Sequence, residues 1–195
     1  SRFLLVWWSR ALAPFKMGGV LSEPNKVKES SDGSHDGIVW GATGMQGWRV
    51  SMEDSHVTDA PLDGFPGARL FAVFDGHGGA AIARICKTKV PEIVVADLQG
   101  GKPPAEALTN AFHGVDIHLR TPEGLGELAK VVDEIEQEEQ AHSSREAAEQ
   151  RSILRMLKRG DANADNVGCT AVAALITGGS VVVANAGDSR GVMSR

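Results

Sequence analysis

A short apolar run at 69–74, RLFAVF, ends abruptly in DGHGG and constrains the fold more than any other feature. A run of this length bounded by a turn is typical of a buried β-strand. A helix is predicted after Gly79, with a break or kink at Pro91. Its apolar residues recur at helical spacing and are Ile82, Ile85, Cys86 and Val90. Asp75 directly follows the predicted strand, and we expect it at the edge of a sheet.

Residues 38–57 carry β-type residues broken by glycines. They predict two strands, at about 38–43 and 47–57, with a turn at Gly44–Gly47 between them. The side chains expected to pack inward are Trp40, Trp48 and Val50.

A second pair of strands is predicted near the other end of the chain. The apolar runs 169–177 and 180–187 are separated by Gly178 and Gly179, which are typical of a hairpin turn. Because both runs are mainly apolar, we expect two central strands of a sheet that is covered on both faces.

Two helical segments are predicted between these strands. Pro103 and Pro104 are typical of a helix start, and an apolar face continues to Leu119. Residues 123–160 begin with heptad-like apolar spacing and become mainly polar at 136–150, where acidic residues outnumber basic ones. We interpret 123–160 as an acidic helical excursion that leaves the body of the protein and returns.

The composition excludes several classes of protein. The chain has 195 residues, of which 42% are hydrophobic, so it is long enough for a real core. Its formal net charge of -5 argues against nucleic-acid binding, which requires a basic surface. The apolar stretch 3–8 is too short to span a bilayer, so no transmembrane segment is predicted. Cys86 and Cys169 are interpreted as buried thiols in a reducing compartment.

Residues 1–37 are expected to form a flexible N-terminal arm, because 18–37 are polar and rich in glycine and serine. If translation started at Met17, Gly18 would become N-terminal and Ser22 would complete a pattern for N-myristoylation. Membrane association is expected only in that case, since Gly18 is internal in the sequence as written.

Chemistry-bearing residues follow the strand at 69–74. Asp75 places a carboxylate at its end, and Gly76 leaves its backbone carbonyl accessible. Hard cations such as Mg²⁺ and Mn²⁺ prefer oxygen ligands of this kind. His77 can donate a proton near neutral pH. A turn with a surface histidine is the alternative interpretation of these residues.

A second group comprises Arg49, Glu53 and Asp54. On one strand Arg49 and Glu53 would point the same way, since they are four residues apart. A guanidinium suits two-pronged binding of phosphate oxygens, although a simple ion pair on one face explains the spacing equally well. Asp188 follows an apolar strand as Asp75 does. Two aspartates that cap neighbouring strands would gather negative charge, which a cation would neutralise.

Four blocks in this order closely resemble successive motifs of the type 2C protein phosphatases: GMQGWRVSMED, LFAVFDGHGG, GCTAVAALI and VANAGDSRGV. The resemblance covers 38–98 and 168–193 well and 99–167 loosely. It implies an α+β fold, a four-layer αββα sandwich of mainly antiparallel sheets. Residues 38–195 would be the N-terminal part of its catalytic domain.

The resemblance also implies a role for each site residue. Arg49 resembles the arginine that binds phosphate, and His77 the proposed general acid. Glu53 is similar to an acidic residue that holds a water on the metal, with Asp54 in support. The remaining metal ligands implied are Asp75, which bridges two ions, the carbonyl of Gly76, and Asp188 at a weaker third ion.

The implied reaction is metal-dependent hydrolysis of phosphoserine and phosphothreonine in proteins. Two Mn²⁺ or Mg²⁺ ions would activate a water for in-line attack, without a phosphoenzyme. Further aspartate ligands of the family lie in motifs beyond Arg195, so we expect residues 1–195 alone to have little activity. A monomer in the cytoplasm or nucleus, acting on phosphorylated proteins, is expected.

Three other interpretations compete with the phosphatase, and two of them remain. A phosphatase-like module without catalysis would act by binding alone. A dinucleotide-binding unit is suggested by the strand, the G-x-G-x-x-A pattern from Gly76 to Ala81 and Asp97 about twenty residues on, but Asp75 would repel a pyrophosphate. A calcium-binding loop at 161–166 fails, because it lacks the required Gly and Glu at Asn166 and Val172.

Overall fold

The computed structural model describes residues 2–4, 20–140 and 167–194. In chain order its elements are β1 (Arg2–Leu4), β2 (Val20–His35), β3 (Ile38–Arg49), β4 (Ser55–Pro61), β5 (Arg69–Phe74), β6 (Gly76–His77), α1 (Ala81–Gln99), α2 (Pro104–His118), α3 (Pro122–Gln140), β7 (Gly168–Cys169), β8 (Ala171–Thr177), β9 (Ser180–Ala186) and β10 (Val192–Ser194).

Four strands form the main sheet, in the order β4-β5-β8-β9, and every pair is antiparallel. The hairpin between β8 and β9 turns at Gly178 and Gly179, both with positive φ (56° and 79°), as the sequence predicted. β8 is central and almost wholly buried, whereas β9 is the last strand of this described sheet and exposes Val181 and Val183. The prediction of two central strands is therefore right for β8 and wrong for β9.

The helices α1 and α2 pack together over one face of this sheet. The core between them combines alternate sheet residues with the inner faces of both helices, among them Leu70, Phe74, Ile85, Val94, Leu108, Ala111, Ala173 and Leu175. α2 begins at Pro104, as predicted. α1 continues through Pro91, so the break predicted there is wrong, and the alternative of a kink stays a prediction. Val90 and Val94, on either side of Pro91, are buried, and their burial offsets the loss of the one backbone hydrogen bond that proline removes.

β2 and β3 form a long hairpin in the region expected to contain an arm and two shorter strands. The chain turns at Asp36 and Gly37, which both have positive φ (49° and 79°), the geometry that suits a two-residue hairpin. The turn predicted at Gly44–Gly47 is wrong. Gly47 also has positive φ, but it lies at an irregularity of the strand register, where a bulge uses that conformation without reversing the chain.

The hairpin contacts the sheet through Trp40, whose ring lies 6.3 Å from that of Phe71 in an edge-to-face arrangement. Gly33, opposite Trp40 in the hairpin, leaves room for the indole ring, because a Cβ at Gly33 would approach it to 2.8 Å. Trp40 is thus a packing residue as predicted and Val50 is half-buried, whereas Trp48 is 56% exposed and the prediction for it is wrong.

Helices on one face and a hairpin against the other, with antiparallel sheets throughout the described residues, confirm the predicted α+β class. The dinucleotide-binding alternative requires a strand, a helix and a second, parallel strand. β5 instead pairs antiparallel with both of its neighbours. Asp97 meets Lys102 at 3.0 Å and Asn110 at 2.7 Å, so it ties α1 to α2. None of the helices among the described residues is long and apolar enough to cross a membrane.

α3 overturns part of the excursion interpretation. Leu128, Val132 and Ile135 are at most 5% exposed and belong to the main core. Arg84 of α1 pairs with Glu138 at 2.6 Å. The apolar side chains of α3 therefore pack on α1, and its acidic side chains cover the outer face of the helix. The rest of the predicted excursion, 141–160, lies outside the described residues, as does most of the segment proposed for myristoylation.

We predict that Leu128→Ala destabilises the whole protein by about 2–5 kcal/mol, because it leaves a cavity between α3 and α1. The matched control is Leu125→Ala on the same helix, where the side chain is 45% exposed, and its effect should stay within about 0.5 kcal/mol. Urea unfolding of both variants measures the difference. Equal effects would show that α3 does not belong to the core.

Candidate active site

The site lies at one edge of the main sheet. β5 and β9 flank β8 and run parallel to each other, so their carboxyl ends meet at the same edge. Asp75 follows β5 and Asp188 closely follows β9. The sequence predicted that the strands before Asp75 and Asp188 are neighbours in the sheet. This is wrong, because β8 lies between β5 and β9. The predicted meeting of charge is nevertheless present, because Asp188 acts electrostatically on Asp75.

The turn after β3 brings Glu53 and Asp54 to this edge, and Gly76 makes the approach possible. A Cβ at position 76 would collide with the backbone carbonyl of Glu53 and would lie 3.2 Å from that of Gly79. Glycine is therefore required because two backbone segments touch, which is a reason that the sequence alone did not reveal.

Arg49 and Glu53 form an ion pair, with Nη2 3.0 Å from Oε2. The side chain of Arg49 is 70% exposed, whereas that of Glu53 is only 12% exposed. Burial raises the pKa of Glu53, and Arg49 together with the backbone N–H of Gly79 opposes the rise. The contact was expected on one strand, but β3 ends at Arg49 and Glu53 belongs to the following turn. The turn, and not strand alternation, brings the two side chains together.

The carboxyl groups of Asp54 and Asp75 interact with each other at this edge. Burial, and then the charge of Asp75, raise the pKa of Asp54 to about 7. Burial, and then the charge of Asp188, raise the pKa of Asp75, while its hydrogen bond with Asp54 opposes the rise. Three carboxyl groups thus crowd one partly buried edge, where their repulsion is only weakly screened.

His77 stands exposed beside these carboxyl groups. β6, which contains it, pairs with β7, and His77 lies opposite Gly168 in the register. Gly168 leaves space for the imidazole, because a Cβ there would come within 3.0 Å of Nε2. The imidazole ring of His77 therefore lies against the backbone of Gly168. Gly168 lies in the GCT motif, but sequence reasoning assigned it no role.

Thr170 and Ser189 connect the loops that carry Asp75 and Asp188. Thr170 donates its backbone N–H to the carbonyl of Asp75 at 2.9 Å. Its side-chain oxygen lies 2.5 Å from that of Ser189, which is buried beside Asp188. Sequence reasoning missed both residues, although polar side chains next to the candidate aspartates were a possible signal.

The donor set suits a hard cation in its chemistry, although its arrangement is incomplete. Partly buried carboxylates that lie close together repel one another, and a divalent cation would relieve that repulsion. Among residues 2–4, 20–140 and 167–194, no group of three or more His, Cys, Asp or Glu side chains is placed to hold one metal ion. The ligand roles of Glu53, Asp54, Asp75, Gly76 and Asp188 therefore remain predictions.

The two thiols are in contact beneath this edge. Cys86 is buried, Cys169 is half-buried, and their sulfur atoms are 3.4 Å apart without a disulfide. The hydrogen bond with Cys169, together with burial, raises the pKa of Cys86 well above its usual range. The interpretation as buried thiols is thus right for Cys86 and partly right for Cys169.

Comparison with known proteins gives a consistent result. The family model described as "Protein phosphatase 2C" matches residues 38–195. "Probable protein phosphatase 2C 6" of Paramecium tetraurelia is 36% identical over 180 residues, which cover 92% of this chain and 52% of that protein. "Probable protein phosphatase 2C 11" of Oryza sativa subsp. japonica is 34% identical over 92% of this chain and 52% of its own length. "Protein phosphatase 1G" of Bos taurus is 38% identical over 148 residues, 71% of this chain and 27% of that protein. The chain spans about half the length of the first two relatives.

The carboxyl crowding predicts how charge removal acts on stability. Asp54→Asn should raise the melting temperature of the whole, metal-free protein at pH 8 by about 2–4 °C, because it removes one repelling charge. The same variant should gain less stability than the wild type from added Mn²⁺. Asp63→Asn, an exposed substitution in a loop, is the control and should change neither quantity. An unchanged gain from Mn²⁺ in Asp54→Asn would contradict a role of this carboxylate in cation binding.

Proposed function

Because the chain belongs to the protein phosphatase 2C family, we propose that the whole protein hydrolyses phosphoserine and phosphothreonine in other proteins with the help of Mn²⁺ or Mg²⁺. The observation that carries this proposal is the juxtaposition of an exposed Arg49 guanidinium, paired with Glu53, and the carboxyl cluster of Asp54 and Asp75. A cation site beside a solvent-exposed arginine would suit the binding of a dianionic phosphate monoester.

The cations would be held by Asp75, the carbonyl of Gly76 and Asp188, with Glu53 and Asp54 in support. When bound, two divalent ions would supply charge neutralisation and a nucleophilic water at neutral pH, and a third ion would bind more weakly. Because metal ligands must be deprotonated, a bound cation would favour the ionised form of Asp54.

The side chains of the chain itself supply binding and proton transfer. Arg49 would bind two phosphate oxygens of the substrate, because its guanidinium faces solvent while Glu53 steadies it from the buried side. His77 would donate a proton to the serine or threonine oxygen as the ester bond breaks. Its exposed position above Gly168 suits a group that must meet a protein-bound substrate.

The partners that follow are phosphorylated proteins, and we propose a monomer without nucleic-acid ligands, in keeping with the formal net charge of -5. A cytoplasmic or nuclear location is supported by Cys86 and Cys169, which lie in contact as free thiols and are preserved as such in reducing compartments. N-myristoylation remains an expectation tied to a start at Met17.

The alternative is a phosphatase-like module that binds phosphoproteins without hydrolysing them. One observation favours it, namely that no described group of three or more ligand side chains is placed around one metal ion. A polypeptide of residues 1–195 tested by itself should accordingly bind Mn²⁺ weakly and hydrolyse little. Calorimetric titration with Mn²⁺ measures this, and tight binding of two ions by that polypeptide would contradict the expectation.

We expect the whole protein to release phosphate from phosphoserine and phosphothreonine peptides only when Mn²⁺ or Mg²⁺ is present. Asp75→Asn should lower kcat by about two orders of magnitude or more, since it removes a charge from the cation site. Phosphate release after exhaustive treatment with EDTA, and again after Mn²⁺ is restored, tests the proposal. Activity that survives EDTA would contradict it.

Arg49→Ala should mainly raise KM for phosphopeptides, by about tenfold or more, because the arginine contributes to phosphate binding before and during the reaction. Arg120→Ala removes an exposed arginine at the end of α2 and serves as the matched control. Steady-state kinetics of the two variants separate KM from kcat. A loss in kcat with KM unchanged would assign Arg49 a different role.

A further inference from the structure

The side chain of Gln46 binds the backbone from which Arg49 projects. Its Nε2 donates hydrogen bonds to the carbonyl of Arg49 at 2.8 Å and to that of Val50 at 2.9 Å. A primary amide has two N–H hydrogens, so each carbonyl can receive one. The two carbonyls lie where β3 ends and the chain begins its turn toward Glu53. Gln46 therefore ties the strand to the start of that turn.

The orientation of this amide is itself determined by the preceding strand. Asn25 of β2 donates from Nδ2 to Oε1 of Gln46 at 3.1 Å. The Oδ1 atom of Asn25 accepts the backbone N–H of Val27 at 3.1 Å, which holds the Asn25 side chain in place. Because the oxygen of Gln46 faces Asn25, its nitrogen faces the carbonyls of the turn. A chain of hydrogen bonds thus runs from β2 to the base of Arg49.

Arg49 needs such support because its exposed side chain makes few contacts that would hold it in one position. It is 70% exposed and pairs with Glu53, and a long arginine side chain loses much rotamer freedom when it is held in one position. A shift in the backbone at residues 49 and 50 would move the whole guanidinium relative to Glu53. The direction of the guanidinium therefore depends on the two carbonyls that Gln46 holds.

We propose that Gln46 is a positioning residue for phosphate binding, which acts through Arg49 and is itself oriented by Asn25. The inference rests on the proposed function of Arg49. It extends the site to a residue of β2, a strand that precedes the region matched by the family model at 38–195.

The test is a double-mutant cycle in the whole protein loaded with Mn²⁺. Gln46→Met retains the length of the side chain and removes the amide. Binding of inorganic phosphate is measured by calorimetry, and KM and kcat are measured with a phosphopeptide. Gln46→Met should weaken phosphate binding and raise KM by about three- to tenfold, as expected for hydrogen bonds of ordinary net strength, with kcat changed less than about twofold. In the Arg49→Ala background the same substitution should have no further effect.

Thr43→Val is the matched control. Thr43 lies on the same strand and bonds the hydroxyl of Ser30 across the hairpin at 2.9 Å, so the variant removes a comparable contact away from Arg49. It should leave phosphate affinity and KM unchanged. Asn25→Ala, which leaves Gln46 in place, should weaken phosphate binding by about twofold to threefold, and it serves as the second variant if Gln46→Met does not fold.

Two results would overturn the proposal. One is a lower melting temperature of Gln46→Met with unchanged phosphate affinity, and the other is a full effect of Gln46→Met in the Arg49→Ala background. A wild-type protein that binds inorganic phosphate but hydrolyses no phosphopeptide would contradict the proposed function only, and the cycle on phosphate affinity would still decide the role of Gln46. A wild-type protein that binds no phosphate would contradict both.

Discussion

The site depends on the antiparallel pairing of β8 with a strand on each side. Because β5 and β9 both run opposite to β8, their carboxyl ends, and with them Asp75 and Asp188, meet at one edge of the sheet. The pairing is stabilised by burial of apolar residues against the two helices, so the energy that holds this edge together comes from the core behind it. The core can therefore hold charges close together that would otherwise separate.

A second constraint connects the hairpin to this edge. The backbone of Gly76 touches the carbonyl of Glu53, and only a residue without a Cβ permits that approach. The contact places the exposed Arg49 and the buried carboxyl of Glu53 next to Asp54 and Asp75. Burial then raises the pKa values of Glu53, Asp54 and Asp75, and neighbouring carboxylates add to the rise at Asp54 and Asp75, which costs stability in the absence of a cation. The same feature that destabilises the edge is the one that would favour a divalent ion there.

Much of the fold was predictable because its elements depend on local patterns. The strand at 69–74, the hairpin at Gly178–Gly179 and the start of α2 at Pro104 follow from a short apolar run, turn residues and the fixed φ of proline. One error was a missed local signal, because glycines at 44–47 suggested a turn that the Asp36–Gly37 pair supplies. Another arose where tertiary contacts override a local pattern, because packing on α1 draws the first part of the acidic segment into the core.

By itself, the sequence determined which chemical groups are present and which strand ends carry them, because motifs such as DGHGG and GDSR are read from residue order alone. It also determined the family, through four blocks in a defined order, which the match over 38–195 confirms. Only the tertiary structure decided which groups meet. The pairing of Arg49 with Glu53 through a turn, the support of His77 by Gly168 and the hold of Gln46 on the base of Arg49 are contacts set by backbone path and register. Residues distant along the chain come together only when the core forms, and no local preference encodes that geometry.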